Sequence, residues 1–298
     1  VDAVAVPCAL GAAVAFAGSS VLQQRAAREA PSKDSLSWRL IADLLHQRTW
    51  LAGSASILFA YVLEAIALAN APVAVVEPVI STELVVALPL AGLLGHRRLG
   101  PRELAGAVGV SAGVASFMAF SNPVGGNADP GLARWGTVAL PTLALAGMAI
   151  GVAVRSGPRR RAVLLACGAG LSFGLLALVT QSFVQLLGHG VVATFASWQP
   201  YTIAVLGAMG FTVGQSAYQA APLAISLPII DSIEPVSSVV LAALVFHQSL
   251  SIRLGALVAE CIGGVVAIAG VVALSTSPLV LQILERQEQE KSVEPLSR

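Results

Sequence analysis

The chain has 298 residues, of which 56% are hydrophobic and 11% charged, with a formal net charge of +1. A soluble domain carries about 25% charged residues, so the composition excludes an ordinary soluble globular domain. So small a net charge gives no footing for nucleic acid.

In chain order, the first run, residues 4–24, lacks the basic stretch that opens a signal peptide and is long for its apolar region, so it reads as a first helix. A helix needs about 20 apolar residues to cross about 30 Å of hydrocarbon. Further runs of that kind occupy about 49–69, 72–95, 103–121, 136–154, 162–187, 199–221, 222–246 and 254–276. No alternating apolar and polar period of a transmembrane barrel is present. The expected fold is an all-α polytopic membrane protein with about nine transmembrane helices, at most ten, in contact with the lipid bilayer. Residues 25–48 are too short and charged to span. Leu36, Leu40, Leu44 and Leu45 share a helical face there, with Trp38 nearby, as in an amphipathic interfacial helix.

Basic residues set the orientation. Segments 25–48, 96–102, 155–161 and the tail from Pro278 hold five, three, four and three Lys or Arg, whereas the opposite side holds only Arg134 and Arg253. The basic side is cytoplasmic. Nine spans then leave the N-terminus outside and the C-terminus in the cytoplasm, with the plasma (inner) membrane as the expected location.

The chain also repeats. With Pro72 aligned on Pro222, Ala71, Ala74, Val75, Pro78 and Ile80 meet Ala221, Ala224, Ile225, Pro228 and Ile230. Cys8 and Gly11 meet Cys167 and Gly170 more weakly. Residues 1–121 thus form a first transmembrane repeat, residues 122–161 a connecting helix with loops, residues 162–276 a second repeat and residues 277–298 a cytoplasmic tail. One connecting helix inverts the second copy, an architecture recurrent in secondary transporters with a site near the midplane. GAVGVSAG at 106–113 and GAMGFTVG at 207–214 share a Gly-x-x-Gly-x-x-x-Gly spacing that suits close helix packing.

The paired A-P-x-A-(I/V) motifs, each followed by Pro, a long apolar helix and a short polar turn, resemble the drug/metabolite transporter superfamily of EamA type. FAGSSVLQQR, the long loop and WLAG…ALANAPVAVVEPV are similar to its NIPA-type magnesium-transporter branch. The resemblance covers residues 4–276. In the polar turns, where that family commonly has Glu, this chain has HRRL and HQSL, and this departs from the branch. The resemblance implies secondary transport of a small solute or a divalent cation.

Glu64, Glu77, Glu83, Asp231, Glu234 and Glu260 fall inside predicted spans, while the 17 basic residues lie in loops, in the tail or near helix ends. A buried carboxylate without a partner charge must be protonated, hydrated or bound to a cation, and intramembrane ionisable groups mark functional sites. Asp231 and Glu234, spaced i, i+3, share one face and are candidates for a cation or metal site, with Pro228 and Pro235 freeing carbonyls nearby. Glu83 and Glu77 mark the equivalent region of the first copy. Glu64 with Tyr61, and Gln215 with Tyr218 and Gln219, supply a polar central cavity. Glu260 is a candidate structural partner of Arg253.

Neither the three cysteines nor the four histidines take metal-ligand spacing or suggest a disulfide framework. No HExxH, GxSxG or P-loop occurs, so neither an enzyme nor a bound cofactor is expected. Secondary transport by alternating access, coupled to protons or another cation, is the leading expectation. Magnesium transport is one alternative, and a non-transporting membrane subunit or lipid-carrier flippase component is another. The chain is expected to act as a monomer or homodimer.

Overall fold

The computed structural model describes residues 4–30, 35–71, 76, 79–95, 99–120, 131–187, 190–246, 254–278 and 280. All regular structure among them is helical. The elements are α1 (Ala5–Glu29), α2 (Trp38–Leu45), α3 (Arg48–Asn70), α4 (Glu83–Leu94), α5 (Pro101–Phe120) and α6 (Leu132–Val154), followed by α7 (Pro158–Leu187), α8 (Val191–Ala196), α9 (Gln199–Ala220), α10 (Leu223–Phe246) and α11 (Leu254–Ser275).

Seven of these helices, α1, α3, α5, α6, α7, α10 and α11, are long and apolar enough to cross a membrane. Their outward faces expose large apolar side chains, among them Leu58, Phe59, Leu140, Met148, Leu244 and Ile268, as a lipid-facing surface requires. Helix α9 has the length, 22 residues, but carries Gln199, Thr202, Gln215, Ser216 and Gln219 and falls outside the seven.

The packing pairs helices. α1 lies along α3, α7 along both α9 and α10, and α5 along α11. Glycine makes the last pair possible. A Cβ on Gly113 would stand 2.5 Å from Ala267 N and Gly263 O, and one on Gly270 would stand 2.7 Å from Gly106 O and Val110 N. The 106–113 glycine stripe thus seats a helix of the same chain. The 207–214 stripe does likewise, with Gly210 facing the Phe173 ring of α7. Small residues let backbones meet where lipid supplies no hydrophobic drive between helices.

Two local expectations change. The segment from 72 is not one uninterrupted helix. Val79 and Ile80 are helical, Ser81 and Thr82 form a turn, and α4 begins at Glu83. At the turn the Val79 carbonyl accepts both the Thr82 N–H at 3.1 Å and the Thr82 hydroxyl at 2.6 Å. Glu83 is therefore a first-turn residue, not a mid-helix one.

Helix α2 forms where expected, but Leu40 and Leu44 are fully buried whereas Leu45 and Trp38 are exposed. It docks on α1, α3 and α9, so its apolar face is covered by protein. Leu36 takes a left-handed backbone, φ 61°, and its N–H donates to Ser216 Oγ at 2.9 Å.

Candidate functional site

A cavity of about 690 Å³ opens among α1, α3, α4, α5, α7, α9 and α10. Helix α10 supplies Asp231 and Glu234 on one face, as their spacing predicts, together with Pro235 and Ser238. It runs unbroken through Pro228 and Pro235. The serines that follow each proline support its backbone, with Ser232 Oγ donating to Pro228 O at 2.6 Å and Ser238 Oγ to Pro235 O at 2.9 Å.

Opposite α10, the break before α4 brings Ile80, Ser81, Glu83 and Leu84 to the wall. Helix α3 adds Tyr61 and Glu64, and α9 adds Phe211, Gln215 and Tyr218. Four carboxylates therefore line the same chamber, and Glu83 lies within electrostatic reach of Glu64, Asp231 and Glu234. Among the described residues the wall holds no Lys, Arg or His. Asp231 Oδ2 is buried with no hydrogen-bond partner among the described residues. A lone charge in such surroundings costs several kcal/mol, on the order of 3 at the centre of a membrane helix, so these acids require a proton, water or a cation.

Seven of the nine residues picked out from the sequence, Tyr61, Glu64, Glu83, Gln215, Tyr218, Asp231 and Glu234, meet in this one cavity. Gln219 does not; its Nε2 donates to the Ala30 carbonyl at 3.0 Å and ties α9 to the end of α1. Glu77 lies outside the described residues, as does Arg253, the expected partner of Glu260. Glu260 itself is remote from the cavity wall. Among the described residues no group of three His, Cys, Asp or Glu is placed to hold a metal ion.

The polar face of α1 was not singled out from the sequence. Ser19, Ser20 and Gln23 line the cavity. Gln215 Nε2 donates to Gln23 Oε1 at 2.6 Å, Gln23 Nε2 donates to Ser19 Oγ at 2.9 Å, and Tyr218 lies beside Ser20. The signal was present in FAGSSVLQQR, where Ser19 and Gln23 are spaced i, i+4 inside an apolar run. Ser111 of α5 and Thr180 of α7 also reach the wall, and a single hydroxyl in an apolar helix gives no such signal. Aromatic rings complete the lining. Phe16 and Tyr61 meet edge to face with centroids 5.2 Å apart, and Phe211 meets Trp50 in the same manner at 6.0 Å.

The long apolar helices define a class, an integral membrane protein that is helical among the described residues, with a polar cavity between its helices. An uncharacterized protein of Corynebacterium glutamicum is 29% identical to the chain over 272 residues, spanning 91% of this chain and 94% of its own length. No family model and no solved structure matches the chain.

Proposed function

We propose that the chain is a secondary transporter of a small solute that works by alternating access, with a proton or another cation as its coupling ion. The observation that carries this is the central cavity, walled by four carboxylates without a basic residue among the described ones. An anionic chamber inside an apolar bundle suits a site that takes up and releases positive charge.

Nine spans arranged as two inverted repeats, as in drug/metabolite transporters, fit this reading. In that scheme α1, α3 and α4 of one copy correspond to α7, α9 and α10 of the other, and all six line the cavity. The pairing of α1 with α3 parallels that of α7 with α9. The broken helix at Ser81–Thr82 belongs to the same picture, since irregular backbone at membrane depth is tolerated where it lines a cavity.

The α1–α9 seam supplies a closed end. Gln24 Nε2 donates to Ala221 O at 3.4 Å, and Gln219 and Leu36 add the bonds to Ala30 and Ser216 described above. Interhelical bonds of this kind contribute roughly 0.6 kcal/mol each in a membrane, weak enough to break in turn as the chamber reopens. In the inner-membrane orientation with the N-terminus outside, this seam lies on the cytoplasmic side.

The test is reconstitution into proteoliposomes with a trapped pH dye and a trapped magnesium dye. Solute-dependent proton movement through the wild type, lost in Asp231→Asn/Glu234→Gln with the protein still inserted, is the expected result. Magnesium influx lost in the same variant would assign the acids to a divalent-cation path. Full function in that variant would leave a non-transporting subunit as the better reading.

A further inference from the structure

We propose that the cavity binds a protonated amine carrying an apolar, ring-sized body, in preference to a metal ion or a quaternary ammonium. This deepens the transport reading and rests on it, for it names the solute.

Four features select that chemistry. The first is charge: Glu64, Glu83, Asp231 and Glu234 face the chamber without a base among the described residues, so the occupant is cationic. The second is size. At about 690 Å³ the cavity falls in the range of about 300–1,000 Å³ that houses drug-sized ligands, far larger than an ion needs. A bare metal would also require converging ligands, and no group of three stands together among the described residues. The third is the aromatic wall. The rings of Phe16, Tyr61, Phe211 and Tyr218 line the chamber, and aromatic rings suit a cation and an apolar body alike.

The fourth separates amine from quaternary ammonium. Gln215 is 2% exposed and Ser111 5%, both reach the cavity, and Gln215 Oε1 and Ser111 Oγ have no hydrogen-bond partner among the described residues. Other hydroxyls of these helices turn back on their own carbonyls, as Ser172 Oγ does on Gly168 O at 2.7 Å and Ser216 Oγ on Thr212 O at 2.7 Å; Ser111 does not. The amide of Gln215 is held by its Nε2 on Gln23, which leaves the oxygen as an acceptor. Buried acceptors without donors are costly; both oxygens lie just behind the cavity surface, and a turn of either side chain brings its oxygen to an ammonium N–H. A trimethylammonium head brings charge but no donor.

Equilibrium binding to the purified full chain tests this with tritiated 2-phenylethylamine as probe, against 2-phenylethyltrimethylammonium, uncharged propylbenzene and magnesium chloride as competitors. The amine is expected to bind saturably. The trimethyl analogue should compete about tenfold more weakly, the loss expected for one unmade hydrogen bond, and propylbenzene and magnesium should not compete.

Ser111→Ala and Gln215→Met are each expected to shrink the tenfold preference. Ser111→Ala alters so little volume that misfolding cannot explain its result. Equal competition by the trimethyl analogue, or displacement by propylbenzene or magnesium at the amine's concentration, overturns the proposal.

Flux separates it from the transport reading. Amine binding with no amine uptake into proteoliposomes sinks transport and keeps the ligand class. Uptake of another solute with no amine binding sinks the ligand class and keeps transport.

Discussion

The two carboxylate-bearing segments on opposite sides of the cavity handle their backbones differently. Helix α10 contains two prolines and does not break. The facing segment turns at Ser81–Thr82 and restarts at Glu83. In α10, hydroxyls of Ser232 and Ser238 bind the proline carbonyls, and Leu223–Ile230 are buried throughout, so packing keeps the helix continuous. Before α4, Thr82 instead bonds the Val79 carbonyl and the chain turns. The electrostatic consequence is unequal. Glu83 sits in the first turn of a helix, where the macrodipole favours an anion by roughly 0.3–1 kcal/mol, more when partly buried. Asp231 and Glu234 sit mid-helix, with no such support and with each other for neighbours. On the transport reading the α10 pair therefore depends most on an incoming cation, and Glu83, with a helix N-terminus behind it, depends on one less.

Neutralising the α10 pair should have the largest effect. Asp231→Asn/Glu234→Gln is expected to lower solute uptake by about 100-fold or more, from two charged contacts of roughly 1.5–3 kcal/mol each. Its thermal stability should hold or rise, since amides cost less to bury than carboxylates. Initial uptake rates beside melting curves of the same preparation check both statements.

Glu83→Gln should reduce uptake about tenfold, one such contact. A loss as deep as that of the double variant would erase the distinction between the two segments. Thr82→Val removes the hydroxyl from the Val79 carbonyl and is expected to destabilise by about 1 kcal/mol, read as a lower unfolding midpoint. Ser232→Ala should be smallest, a few tenths of a kcal/mol, because Pro228 O lies in a continuous helix that keeps its backbone bonding. A larger loss there would mean that the serine, not packing, keeps α10 continuous.

Much of the site was readable before any coordinates, because an acid in an apolar run stands out against its surroundings. Glu64, Glu83, Asp231 and Glu234 were found that way, and they meet. Gln219 stood out equally but serves the α1–α9 seam. Ser111 and Thr180 did not stand out, since a hydroxyl in a helix usually bonds its own backbone. The helical period puts Leu36, Leu40, Leu44 and Leu45 on one face of an interfacial helix, yet Leu40 and Leu44 are covered by protein and Leu45 is exposed, because period alone cannot tell protein cover from open surface.

By itself the sequence determined the apolar helices, their approximate limits and the glycine stripes, for these follow from hydropathy and residue size at short range. Only the tertiary structure decided that the acids of α3, α4 and α10 face one chamber, that Gln23 and Gln215 join across 192 positions of chain, and that the backbone turns just before Glu83. Those outcomes depend on which helices pack together. Helix packing is set by close contacts between surfaces far apart in the chain, and no local pattern carries that information.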